Sequence, residues 1–138
     1  MNALAIVLII KIIGTVLMWC LPLLLFPSVL LEALGFPEQD SYLFVRLLGW
    51  AYLALCVGYG FALKAALNGR RLMGPIWVGV VSNGGAFVYL LYYGLQGTWS
   101  NWGMAIQAIA WTSVVATALI TSGLILFGVL GRLPRTDG

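Results

Sequence analysis

Leu4-Ala5-Ile6-Val7-Leu8-Ile9-Ile10-Lys11-Ile12-Ile13-Gly14-Thr15-Val16-Leu17-Met18-Trp19-Cys20-Leu21-Pro22-Leu23-Leu24-Leu25 carries a single charge. A helix rising 1.5 Å per residue needs about 20 apolar residues to cross a bilayer, and this stretch has them. Polar and apolar residues do not alternate along it, as they would in a strand of a membrane barrel. Hydrocarbon holds no water to satisfy peptide groups, so a segment that spans it must be a helix. Residues 43–63, 75–95 and 104–130 read the same way, and Pro75 falls in the first turn of its helix, where its missing N–H does no harm. The sequence thus predicts an all-α, integral membrane four-helix bundle, a single transmembrane domain over residues 1–138. Its first span is read as retained, because Lys11 lies inside the apolar run and Trp19-Cys20-Leu21-Pro22 offers no small-x-small cleavage site.

Composition points the same way. Hydrophobic residues make up 62% of the chain and charged residues 8%. A chain of 138 residues has too poor a surface-to-volume ratio to hide that much apolar surface in water. Disorder requires the opposite composition. The sequence has no histidine, which removes histidine-ligated haem, histidine metal sites and a histidine general base. Cys20 and Cys56 lie in different spans with no Cys-x-x-Cys pair and read as small core residues. No metal-ligand set and no phosphate-cradling glycine loop is found. No acidic residue lies within an apolar run, where proton-coupled transport usually places one. The net charge of +3 reflects membrane topology and not nucleic-acid binding.

The connectors set the orientation. Glu32, Glu38 and Asp40 lie between the first two spans, Lys64, Arg70 and Arg71 between the second and third, and Arg132 and Arg135 after the fourth. Short loops rich in Lys and Arg stay cytoplasmic, which gives an N-in/C-in protein of four crossings. Trp99 and Trp102, in the uncharged third connector, then belong at the outer interface. In the first connector, Pro27 and Gly35 punctuate a short helix over residues 27–35 that is expected to lie on the outer membrane surface through Val29, Leu30, Ala33 and Leu34. The alternative is a first span that continues to Leu34 past kinks at Pro22 and Pro27.

Lipid tails are as apolar as leucine, so close backbone approach and interhelical hydrogen bonds must hold the bundle. Ala54, Gly58, Ala62 and Ala66 recur every fourth residue. Ala108, Thr112 and Ala116 do likewise, beside a second row of Ser113, Thr117 and Thr121. Each row falls on one helix face and suits a seam within the bundle, or else the contact with a second protein.

A few polar residues stand out. Arg46 lies about one turn into the outer end of the second span. It either pairs with Glu32, Glu38 or Asp40, binds an anion, a lipid head or the polar head of a quinone-like ligand, or snorkels to water. Lys11 lies roughly 12 Å inside the first span if that helix starts near Ala3. It either snorkels to the headgroups, heads a span that begins at Ile12, or faces a polar cavity and acts on a substrate. Ser82-Asn83-Gly84-Gly85 falls near the middle of the third span, where Asn83 needs a partner and the glycines weaken the helix. It reads as a close helix crossing, or as a kink lining a ligand cavity that Gln107 and Trp111 would share. Phe87, Tyr89, Tyr92 and Tyr93 read as interface anchors, with stacking of a flat ligand as the alternative.

The run Pro27-Ser28-Val29-Leu30-Leu31-Glu32-Ala33-Leu34-Gly35-Phe36-Pro37, followed by Phe44-Val45-Arg46-Leu47-Leu48-Gly49-Trp50, resembles the small four-helix bacterial membrane proteins of the DoxX-like group. The resemblance covers about the first half of the chain. It implies a bacterial inner-membrane bundle, carries over Arg46 and Gly49, and brings in relatives that serve as small subunits of quinone-linked sulfur oxidation systems.

Three functions fit these residues. The lack of histidine, buried carboxylate and paired cysteine favours a non-catalytic small subunit or assembly partner of a larger membrane complex. A small homo-oligomeric transporter or channel would use Asn83 and Lys11 as its polar path. A binding protein or enzyme for a quinone or lipid would hold the ligand head at Arg46 and its body on the outer aromatics. No cofactor-binding motif is evident beyond that ligand class.

Overall fold

The computed structural model describes residues 2–131, all in helices, turns and connectors. Four helices are long and apolar enough to cross a membrane, which is the build of a multi-pass membrane protein. They are α1 (Ala3–Leu25), α3 (Leu43–Leu67), α4 (Met73–Leu95) and α5 (Met104–Val129). The short helix α2 (Ser28–Ala33) stands between the first two. The second span runs past the expected residue 63 because Lys64-Ala65-Ala66-Leu67 are good helix formers, and it stops before Gly69 at φ +69°. Arg132 and Arg135, on which part of the orientation rests, lie outside the described residues.

The helices neighbour one another in the ring order α1, α3, α4, α5. At one end the Asn2 side-chain amide donates to Ala66 O at 2.7 Å, and the Arg71 guanidinium donates to Gly131 O. These two bonds gather the start of α1, the basic connector and the end of α5. At the other end Gly103 N–H donates to Gly35 O at 3.3 Å, tying the first connector to the third. Gly35 sits at φ +95°, a conformation that suits glycine, and it closes α2 with Phe36 N–H on Leu31 O. A Cβ on Gly103 would stand 2.6 Å from Gly35 Cα, so this crossing needs glycines.

Prolines shape α1. Pro22 has no N–H and its ring crowds the carbonyl four residues earlier. Just before it, Val16–Cys20 widens into a π-helical turn, with Leu21 N–H reaching Val16 O, which relieves that crowding. Pro27 removes the donor that the Leu23 carbonyl would otherwise receive, and the chain turns extended at Phe26. The first span therefore ends at Leu25 and does not continue to Leu34. On α2, Leu31 is the residue buried against the bundle, whereas Val29, Leu30 and Ala33 are exposed.

The small-residue seams are narrower than the sequence suggests. Ala62 and Ala66 are buried in the core with Leu4, Ala5, Leu8, Tyr59, Ile76 and Leu124. Ala54 is exposed and Gly58 has open space beside its Cα. Ala108 and Thr112 are exposed too, while Ser113 on the adjacent row is buried and Ala116 half-buried. The helices close tightly only where a neighbour crosses at these positions, as at Gly79, whose added Cβ would come 2.7 Å from Leu124 Cδ1 and 3.3 Å from Tyr59 Cε1.

Candidate functional site

Lys11 and Asn83 point into the bundle and meet there. Lys11 is 4% exposed and donates from Nζ to Asn83 Oδ1 at 2.9 Å; Asn83 is 7% exposed. Lysine only donates, so Asn83 must turn its oxygen to it and its NH2 away. That NH2 group donates to Gly79 O at 2.6 Å and lies 3.4 Å from Ser82 Oγ. Ser82 Oγ is 3.0 Å from Tyr59 OH, and the Tyr59 ring lies under Lys11 Nζ at 4.3 Å from its centroid. Helices α1, α3 and α4 each contribute to this cluster, so it exists only in the assembled bundle.

The cluster lines a cavity of about 270 Å³. Thr15, Trp19, Tyr52, Leu55, Ala86, Ser113, Ala116 and Thr117 complete much of the wall. Ser113 is 4% exposed and its Oγ has no hydrogen-bond partner among the described residues. A helical serine usually turns its hydroxyl to a carbonyl one turn back, as Thr117 does on Ser113 O at 2.7 Å and Thr121 on Thr117 O at 2.7 Å. Ser113 lines the cavity, and its hydroxyl is an unused donor beside it.

A second chamber of about 500 Å³ adjoins the first and shares Met18, Trp19, Tyr52 and Leu90 with it. Its other walls are apolar: Leu17, Pro22, Leu23 and Phe26 of α1 with the residue that follows it, Leu31 and Leu34 from α2 and its cap, and Ile106, Ile109 and Ala110 of α5. Phe36, Trp99 and Trp102 close it towards the connectors. The π-helical turn of α1 presents Met18 and Trp19 where the chambers meet, and the Trp19 and Tyr52 rings lie 5.9 Å apart there. Trp99 is buried beneath the connectors and does not lie at the surface, because Gly94 leaves a seat for its ring and Trp111 packs edge-on at 5.7 Å. Its Nε1 also lacks a partner among the described residues.

Charge makes the first cavity unusual. Among the described residues, Lys11 is the one charged residue lining either chamber. Burying an ion costs several kcal/mol even after relaxation. A hydrogen bond to a charged group returns about 1.5–3 kcal/mol and a desolvated cation–π contact about 2 kcal/mol. The ammonium is therefore tolerated, but among the described residues no counter-charge lines its cavity. Glu32, Glu38 and Asp40 all lie in the first connector, beyond Leu25 and about 21 Å of helix from Lys11.

The other sequence candidates fall elsewhere. Arg46 makes its hydrogen bonds with carbonyls rather than carboxylates: Nη1 donates to Leu23 O at 2.6 Å and Nη2 to Phe26 O at 2.5 Å. It supplies the donor that Pro27 removed. Gly49, one turn on, lets α1 approach, since an added Cβ would stand 2.9 Å from Leu24 Cγ. Glu32 instead accepts from Tyr42 OH at 2.8 Å. Gln107 does not line the Asn83 cavity; its Nε2 donates to Ser100 O at 2.9 Å and Trp102 O at 2.8 Å and holds the third connector. Trp111 does not line it either and packs on Trp99. Sequence reasoning missed Trp19, Tyr52 and Tyr59 and took Ser113 for packing. The spacing of Tyr52 and Tyr59, two turns apart on one face of α3, was the available signal.

No family model, no curated protein and no solved structure matches the chain.

Proposed function

We propose that this protein binds an amphiphilic small molecule, of the quinone or lipid class, inside the membrane. The observation that carries this reading is the paired cavity. A polar pocket with the buried Lys11–Asn83 pair and an unpartnered Ser113 hydroxyl adjoins an apolar chamber with room for the body of such a molecule, the two sharing four wall residues. Ligand sites of this kind are mostly apolar, with a few placed polar groups that fix orientation. The polar head sits at Lys11, while Arg46 holds the end of α1 and shapes the chamber indirectly.

In this reading the protein is a bacterial inner-membrane bundle akin to the DoxX-like group. Both termini and the Arg70–Arg71 connector face the cytoplasm, and α2 lies along the outer surface. Support comes from the basic connector lying at the same end as Asn2 and Gly131, with Glu32, Glu38 and Asp40 at the other. A second role, docking on a partner subunit or a second copy, is favoured by the outward-facing Ala54 and Gly58, which leave room for close approach of another helix.

The test is thermal unfolding in mild detergent with and without lipid extracted from the host membrane. A ligand that binds only the folded state stabilises it by about 2.7 kcal/mol at a hundredfold excess over its Kd. Wild type should melt higher with extract, and Ala116→Phe, which fills the polar cavity, should not respond. An equal response in both proteins would reject the cavity as the site.

A further inference from the structure

The charge and hydrogen-bonding pattern of the cavity narrows the ligand further, given that the site binds an amphiphile at all. We infer that it takes a long-chain carboxylate, a free fatty acid, with the head on Lys11 and Ser113 and the chain in the apolar chamber.

The head must be an acceptor. Lys11 spends one of its three N–H groups on Asn83. Ser113 Oγ has no partner among the described residues. The Asn83 oxygen already accepts from Lys11, and its NH2 is committed to Gly79 O. The wall therefore offers free donors around a cation, and although the Thr15, Ser82 and Thr117 hydroxyls can also accept, none of them carries a negative charge to balance Lys11. A neutral head would satisfy the donors but leave the ammonium without a counter-charge. An anion does both, and charge-assisted hydrogen bonds are the strong ones.

The head must also be small. The Lys11 backbone lies roughly 12 Å along α1 from its start, and its ammonium points into a space of about 270 Å³ within the bundle. A glycerophospholipid would have to bring its whole headgroup and both chains into that space. A carboxylate brings only two oxygens and one negative charge, enough to bond Lys11 and to take up the unused Ser113 donor. From Lys11 to Phe26 the chain follows about 22 Å of α1, past the collar of Met18, Trp19, Tyr52 and Leu90. The chamber walls are no more apolar than the bilayer the ligand leaves, so the anionic head supplies the selectivity.

The experiment is a titration of the full-length protein in mild detergent at neutral pH. Stearic acid brominated at mid-chain, its methyl ester, and a brominated alkyl phosphate are added separately, and quenching of tryptophan fluorescence is read. Trp19 stands beside the expected chain, so the acid should quench saturably and Trp19→Phe should remove most of that signal. The ester should bind about tenfold or more weakly. Lys11→Met should abolish the preference for the acid, and Ser113→Ala, which removes only an unpartnered hydroxyl, should reduce it with the fold intact. Equal binding of acid and ester by wild type would overturn the carboxylate assignment while leaving amphiphile binding in place. Tighter binding of the phosphate would move the assignment to a phosphate head. No saturable quenching by any of the three would overturn both this inference and the function on which it rests.

Discussion

Lys11 on α1 and Asn83 on α4, 72 residues apart in the chain, meet at 2.9 Å in the interior of the bundle. Each makes the other tolerable. Removing Asn83 leaves a buried ammonium without its acceptor, a class of change that costs about 3–5 kcal/mol. Replacing Lys11 by methionine removes the charge itself but leaves the buried Asn83 oxygen unpaired, a smaller cost of about 1–3 kcal/mol. Asn83→Leu should therefore unfold well below wild type in detergent, Lys11→Met less far below, and the double variant should recover much of the loss. A coupling of about 2 kcal/mol in this double-mutant cycle is expected. Additive effects would mean the two side chains do not interact.

Arg46 bridges two carbonyls with two nitrogens of one planar group. Lysine carries a single point of donation and cannot span both. Arg46→Lys should cost about 1–3 kcal/mol, the loss expected when one buried carbonyl goes unpaired. Thermal unfolding measures it. If Arg46→Lys melts with wild type, the guanidinium does not hold the end of α1.

The connector crossing gives a steric prediction. An alanine Cβ at Gly103 would meet Gly35 Cα at 2.6 Å and Leu34 O at 3.0 Å, both backbone. No flexible side chain is there to yield, so Gly103→Ala should cost about 1–3 kcal/mol, as overpacking does. Limited proteolysis should cut the first connector faster in the variant. By contrast, Gly85 has nothing within 4 Å, and Gly85→Ala should melt at or above wild type.

Trp99 is buried with its Nε1 unpartnered. Trp99→Phe removes that N–H and keeps an aromatic ring in the seat above Gly94. The lost packing and the relieved polar group oppose each other, so the melting temperature should shift less than for Arg46→Lys. A larger drop would show that the indole N–H has a partner in the membrane.

The four spans were legible because length and apolar content alone decide whether a segment can cross a bilayer, and the runs starting near Leu4, Leu43, Pro75 and Met104 satisfy both. The inward faces were not. A span that is apolar all round gives no polar side from which to phase it. Ala54 and Ala62 thus look equivalent in sequence, although only Ala62 is buried. Lys11 was visible as an anomaly, but its direction depends on where Asn83 lies across the bundle. The role of Arg46 had a local trace, since Pro27 must leave the Leu23 carbonyl without a helical donor. What was missing was the contact between α1 and α3 that brings the arginine to it. Trp99 was expected at the outer interface on the general preference of indole rings; that its ring is seated inside the protein at Gly94 had no signal in the sequence.

The central claim is that a single amphiphile occupies the cavity headed by Lys11. Native mass spectrometry of the protein, purified in mild detergent and released from its micelle, tests this most directly. Wild type should carry one small-molecule adduct per chain that is lost from both Lys11→Met and Ala116→Phe. An adduct of unchanged mass and occupancy in both variants would contradict the account.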